Sequence, residues 1–424
     1  MRLQYGRDGL HVTLPATNVT VLAPRWLPGL TDEARAFAEA AERPLGTRPL
    51  RDLVKSSDRV AVVIPDVTRP CPTDRILPRL FAALPHVPPD RYTIINGTGT
   101  HRKNTPAELK AMVGADVLRR YRVVNHDARD DASLALAGAA ADGPPVRLHR
   151  AWVEADRRIV VGLIEPHFMA GFSGGFKGVF PGIADMDSIL NYHRAAVIGD
   201  PRSTWGVLEG NPTHDQIRHN GSLLPIDFCI NVTVNWERQI TRWFCGDPAA
   251  VFAAGTAFAR ETSMVPVDHT FPVVVTTNSG FPLDQNLYQA VKGMSAAAQV
   301  VAPGGLILTA ARCNDGFPEH GSFKSLVCGY ESPRALLDAI NGFPVPVHDQ
   351  WEAQLLALIQ TKARVGLFSE LPATEVERAS LSPVDDLGRA VADELARIGS
   401  DAPVAVLPEG PMTIPYVRED AAVG

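Results

Sequence analysis

The sequence predicts an α/β protein of two domains, each with a mostly parallel sheet flanked by helices. Three observations carry this. Apolar runs of strand length recur along the chain, helical stretches lie between them, and the 424 residues are two to three times the usual domain of about 100 to 200 residues. A continuous apolar run, as opposed to an alternating one, is what a strand covered by helices on both faces requires.

Taken in order, strands are expected at residues 60–64 (Val60, Ala61, Val62, Val63, Ile64), 92–95 and 158–164, each ending in Gly, Pro or polar residues. The alanine-rich stretch 132–141 reads as a helix or a linker. A second part opens near Thr270. Its strand 272–276, helix 287–301, turn at Pro303, Gly304 and Gly305, and strand 306–309 make a βαβ unit. Residues 258–268 are then the candidate crossing between domains. Helices follow at 334–340 and 352–360, a strand at 363–368, a helix at 385–397, and a closing strand at 403–408. The domains are set at 1–265 and 270–424, with the end of the chain expected to pack back on the first.

Composition narrows the function classes. With 41 basic and 47 acidic residues, a net charge of −6 and no long run of one sign, the chain carries nothing that predicts a polyanion partner, so nucleic acid is not expected. No window holds the roughly 18 apolar residues of a membrane span, and the first residues lack an apolar leader. A cytoplasmic protein without a membrane partner is the expectation. The five cysteines (Cys71, Cys229, Cys245, Cys313, Cys328) are odd in number and never spaced C-x-x-C, so they are expected as reduced thiols.

In open α/β sheets ligands collect beyond the carboxyl ends of the strands, and three strand ends carry unusual loops. In the first, Asp66, Thr68 and Arg69 cluster before Pro70 and Cys71. A guanidinium grips a carboxylate in a two-pronged fork and an aspartate accepts from sugar hydroxyls, although a turn with a surface ion pair also accounts for them. The second, Asn96-Gly97-Thr98-Gly99-Thr100-His101-Arg102, lacks the third glycine of a dinucleotide fingerprint. It leaves His101 on a glycine-containing turn, either as a general base or as a hydrogen-bonded loop residue. In the third, Glu165 to Gly182, glycines including Gly174 and Gly175 surround Lys177, with His167 ten residues before and His193 sixteen after. Backbone amides near a lysine suit a phosphate cradle, yet Gly178 stands where a Walker A loop needs Ser or Thr. Further on, Asp284 to Gly293 starts a helix on which Gln289 and Lys292, three apart, share a face. That pair is either an anion site or a solvated face. Trp351 is either a pocket or a core aromatic.

Together these stretches resemble the nickel-dependent lactate racemase family over nearly the whole chain. The resemblance rests on Asp66-x-Thr68-Arg69-Pro70, Gly97-x-Gly99-x-His101-Arg102, the spacing of His167, Lys177 and His193 in a glycine-rich run, and Tyr288-Gln289-x-x-Lys292-Gly293. It implies an active site in the interdomain cleft and a nickel-pincer nucleotide, a pyridinium-3,5-bisthiocarboxylic acid mononucleotide built by separate biosynthetic enzymes. His193 would be the protein's nickel ligand and Lys177 the point of covalent attachment. Asp66, Thr68, Gly174 and Gly175 would lie against the cofactor. By the same resemblance His101 and His167 are the acid/base pair of the first domain, Arg69, Gln289 and Lys292 orient the substrate carboxylate, and Tyr288 and Trp351 line the pocket.

The implied activity is racemisation of a short-chain 2-hydroxy acid by reversible hydride transfer through a planar 2-keto acid. A carboxylate beside C2 stabilises a carbanion poorly, so moving the hydrogen as hydride avoids it. Phe176, Phe180, Met294 and Trp351 lie near the motifs and point to an apolar pocket. The alternatives are a C2 epimerase of a longer aldonic acid on the same scaffold, a non-catalytic hydroxy acid binding protein, and an NAD-linked dehydrogenase, for which the fingerprint loop is missing.

Overall fold

A computed structural model describes residues 1–141, 143–318 and 321–418. The chain folds as two compact units that are not simple halves: Trp26–Tyr192 with Gly206–Thr262, and Met1–Arg25 and His193–Trp205 with the chain from Ser263. Relative to the expected 1–265 and 270–424, the first 25 residues and a short internal segment join the second unit.

The first unit is built on a six-stranded sheet in the order Ile240–Gly246, Phe228–Val234, Arg157–Leu163, Val60–Pro65, Tyr92–Gly97, Arg122–Asn125. All neighbours are parallel except the first pair. Because successive strand side chains point to opposite faces, one strand serves two cores. Val60, Val62 and Ile64 join Ile94, Ile159, Val161 and Ile230 on one face, while Ala61 and Val63 join Ile95, Val160, Trp152 and Phe180 on the other. Each such side chain contributes about 1.5 to 3 kcal/mol by leaving water, which is why the apolar runs are continuous.

The second unit has a six-stranded, all-parallel sheet in the order Ser382–Pro383, Arg364–Phe368, Val301–Ala310, Phe271–Thr277, Val404–Leu407, Val19–Val21. Val273, Val275, Leu308 and Val406 pack with Leu387, Val391 and Leu395 of helix Leu387–Ile398. Helix Leu287–Ala298 starts where the Asn286 side chain accepts the Gln289 N–H, an N-cap that satisfies one of the first turn's unpaired donors.

Three expectations are corrected. Residues 132–141 form no α-helix: after a 3-10 turn at Asp131–Ser133, Leu134–Ala139 pairs antiparallel with Pro145–His149, so cross-strand partners override the helix preference of alanine. No turn interrupts the chain at Pro303, because Val301–Ala310 is one strand whose exposed residues Pro303 and Gly304 sit at a register shift. Val404–Leu407 does not close the chain; Ile414–Val417 follows and pairs with Met264–Val267. Both strands lie in the second unit, and residues 419–424 lie outside the described residues. All five cysteines are free, and among the described residues no helix is long and apolar enough to cross a membrane.

Candidate active site

Strands Val60–Pro65 and Tyr92–Gly97 run parallel with Ile64 opposite Asn96 and Pro65 opposite Gly97, so their loops leave the sheet side by side. That register brings Asp66 and His101 together. One Asp66 oxygen accepts from the Thr68 hydroxyl at 2.6 Å and its backbone N–H at 3.3 Å, and the other lies 2.8 Å from His101 Nδ1. Asp66 is buried while His101 is half exposed. Burial pushes the Asp66 carboxyl up, but the bond to His101 and its charge, the Thr68 hydroxyl and the Arg69 charge outweigh it and hold the group below the ordinary range. An ionised carboxylate facing Nδ1 places the ring proton there and leaves the Nε2 lone pair as the basic site. The His101 loop is pinned by three asparagines: Asn96 donates to Asn104 and Asn125, each at 2.8 Å, and Asn104 also accepts the Val67 N–H.

Arg69 pairs with Glu165 at 3.3 Å. Two residues on, His167 sits in a short hairpin, Pro166–His167 against Gly171–Phe172, and its Nδ1 accepts the N–H groups of Met169 and Ala170, both at 3.2 Å. Two donors aimed at Nδ1 put the proton of the neutral ring on Nε2. The ring stacks on Phe168 at 4.6 Å.

Lys177 is half-buried on the 3-10 turn Gly175–Gly178. The glycines before it have packing reasons. Gly174 has φ 88° and Gly175 φ 53°, and a Cβ at Gly174 would lie 2.7 Å from the Asn231 side chain. The Gly175 N–H is donated to Asn231 at 2.8 Å, so this amide of the expected phosphate cradle is already engaged.

In the other unit His193, between helices Met186–Tyr192 and Ala195–Ile198, is buried and stacks on Trp351 with centroids 4.1 Å apart. The Trp351 indole N–H donates to the Tyr288 hydroxyl at 3.1 Å. Lys292 donates to Gln289 at 2.6 Å, so the pair three apart does share a face of helix Leu287–Ala298. Trp351 is thus buried like a core aromatic, yet one ring face meets a histidine. Phe180 and Met294 are fully buried, Phe180 among core residues, so neither supports an apolar pocket.

Residues missed in the sequence include Glu165, the three asparagines, Asn231 and Glu352, a fully buried acid. Asn96 and Glu165 stood at or just after predicted strand ends, a usable signal. Asn231, inside strand Phe228–Val234, and Glu352, inside a helix, gave none.

Against known proteins, the lactate racemase N-terminal domain matches residues 5–206 and the lactate racemase C-terminal domain residues 267–414. The lactate racemase of Thermoanaerobacterium thermosaccharolyticum is 32% identical over 99% of both chains, and that of Lactiplantibacillus plantarum 34% identical over 89% of this chain and 90% of that one. This chain belongs to the lactate racemase family. As a member it is an isomerase of the racemase type. The apoprotein structure from T. thermosaccharolyticum superposes with a TM-score of 0.91 at 31% identity, covering 99% of this chain and 100% of that chain. A Thermotoga maritima protein, 19% identical with a TM-score of 0.69 over 93% of this chain and 100% of that one, shares the fold.

Proposed function

We propose that this family member racemises a short 2-hydroxy acid of the lactate type by hydride transfer through a 2-keto acid. Support comes from the relatives' names and, in the structure, from one observation above the others: Asp66 holds His101 with its Nε2 lone pair available. A histidine so held takes the proton of a substrate hydroxyl, and the carboxylate stabilises the imidazolium that forms. His167, carrying its proton on Nε2, is the complementary donor to the same kind of oxygen. To give that proton up as an acid in one direction, or to take one as a base in the other, the ring must carry a proton on Nδ1, so the contacts with the Met169 and Ala170 amides must give way. Arg69, Gln289 and Lys292 are donors of the kind that hold a carboxylate, with Tyr288 and Trp351 as pocket residues.

The residues present fit the nickel-pincer nucleotide. Among the described residues no group of three or more His, Cys, Asp or Glu is placed to hold a metal ion, and a metal carried by its own organic ligands requires only one imidazole, for which His193, buried and braced by Trp351, has the right chemistry. Lys177 would hold the cofactor covalently, with Asp66 and Thr68 against its ribose or phosphate. When bound, the cofactor supplies an electrophilic carbon that accepts and returns the C2 hydrogen. The test is metal analysis and intact mass of protein co-produced with the cofactor-building enzymes, assayed on lactate and longer 2-hydroxy acids. Nickel near one per chain, lost in His193→Ala while circular dichroism is unchanged, is the expected result; full nickel and activity in that variant refute the ligand role.

A further inference from the structure

Glu352 follows Trp351 on helix Gln350–Lys362, and its side chain is fully buried. Neither carboxylate oxygen has a hydrogen-bond partner among the described residues. Other buried acids of this unit are engaged: Asp284 accepts two backbone N–H groups, and Glu394 pairs with Arg364 and Arg397. A buried, unpartnered carboxylate is strongly disfavoured, so the group is either neutral or facing a charge.

The charges around it are few. Helix Leu287–Ala298 packs on this helix and brings Lys292, whose charge acts on Glu352. Asp349 stands at the helix start, 3.5 Å from His348, and acts on Glu352 in the opposite sense. The other packed elements have charges paired elsewhere: Arg334 with Asp338 on helix Pro333–Gly342, Lys324 with Glu375 on helix Phe323–Val327, and Arg364 with Glu394 on strand Arg364–Phe368. Helix Ala195–Ile198 carries none, with Arg194 at its N-cap, and strand Val301–Ala310 carries none. Burial is the largest influence and, with Asp349, exceeds the pull of Lys292, so the Glu352 carboxyl is pushed up to about 8.

We propose that Glu352 is a positioning residue that sets the charge Lys292 presents to the substrate carboxylate. As a neutral acid it sets no opposing charge beside the ammonium, whose direction Gln289 fixes through a neutral amide oxygen. As a carboxylate, its proton released to solvent, it competes with the substrate for that ammonium. The inference rests on the reading of Lys292 as a carboxylate anchor.

The experiment is KM and kcat for lactate across pH 6 to 10 in cofactor-loaded wild type, Glu352→Gln and Lys292→Ala. In wild type KM rises about tenfold per pH unit above the Glu352 transition, with kcat changed far less, and Glu352→Gln, which cannot ionise, loses that rise. The same alkaline rise in Glu352→Gln overturns the proposal. So does a KM at pH 7 raised as far as in Lys292→Ala, since the ionised form would then be the useful one. An unchanged KM at pH 7 in Lys292→Ala overturns the anchor reading instead. Should Glu352→Gln not fold, infrared titration of wild-type apoprotein decides: a protonated-carboxyl band present at pH 7 and lost near pH 8 supports the proposal, and no such band at pH 7 overturns it.

Discussion

His101 and His167 hold their protons on opposite nitrogens, and the cause is what faces Nδ1 in each: a buried carboxylate in one, two backbone amides in the other. Asp66 therefore has a role beyond the cofactor contact that the family resemblance implies for it. In Asp66→Asn the amide NH₂ can donate to Nδ1 and stabilise the tautomer whose Nε2 is not basic. The expected result is a fall in kcat/KM of roughly 100-fold to 10,000-fold with the fold intact by circular dichroism. Because two enantiomers are equal in energy, the fall must be the same for both, so the informative readout is the size of the loss. Activity within a few-fold of wild type means that the Asp66–His101 contact is not used. Both residues were legible as members of separate motifs, but their contact was not, because it depends on the register of two strands and not on any spacing along the chain.

The loop bearing Lys177 is an element whose shape is dictated by close backbone packing. A Cβ on Gly182 would come within 2.2 Å of the Gly178 carbonyl oxygen, a rigid neighbour that cannot swing aside. Gly182→Ala is expected to destabilise the first unit by about 1 to 3 kcal/mol, read as a lower Tm and faster proteolysis near the loop. An unchanged Tm would mean that the turn relaxes freely and does not hold the lysine in place. The glycines were visible in the sequence, where they read as a ligand cradle; Asn231, which occupies the Gly175 amide, comes from a strand more than fifty residues away, beyond any local pattern. Strands such as Val60–Pro65 were legible because burial on both faces demands an unbroken apolar run. The hairpin Leu134–Ala139 with Pro145–His149 was not, since its partly exposed alanines carry the opposite propensity and only pairing decides.

At the scale of the molecule the two units hold buried groups whose titrations oppose one another. The all-parallel sheet of the second unit draws its edge strand Val19–Val21 from the start of the chain, an assignment no composition shift announces, so the division of the chain was the least legible feature. In the first unit His149 is held down to about 4 by burial, helped by the charges of His126 and Arg122, and His126 is itself lowered mainly by burial. Between pH 4 and the ordinary histidine value of 6.5 the unfolded chain binds more protons than the folded one, so this unit loses stability as pH falls through that window. Glu352, in the second unit, is raised from 4.5 to about 8. There the folded state binds the extra proton, and stability falls as pH rises from 4.5 towards 8. Each group is worth at most about 1.4 kcal/mol per pH unit. Differential scanning calorimetry from pH 5 to pH 8 should therefore show the transition of the first unit moving up and that of the second moving down. His149→Gln should remove part of the first shift, leaving the His126 contribution, and Glu352→Gln should remove the second. If both transitions move the same way, or if neither variant changes the slope of its own unit, these buried groups do not govern the pH dependence of folding.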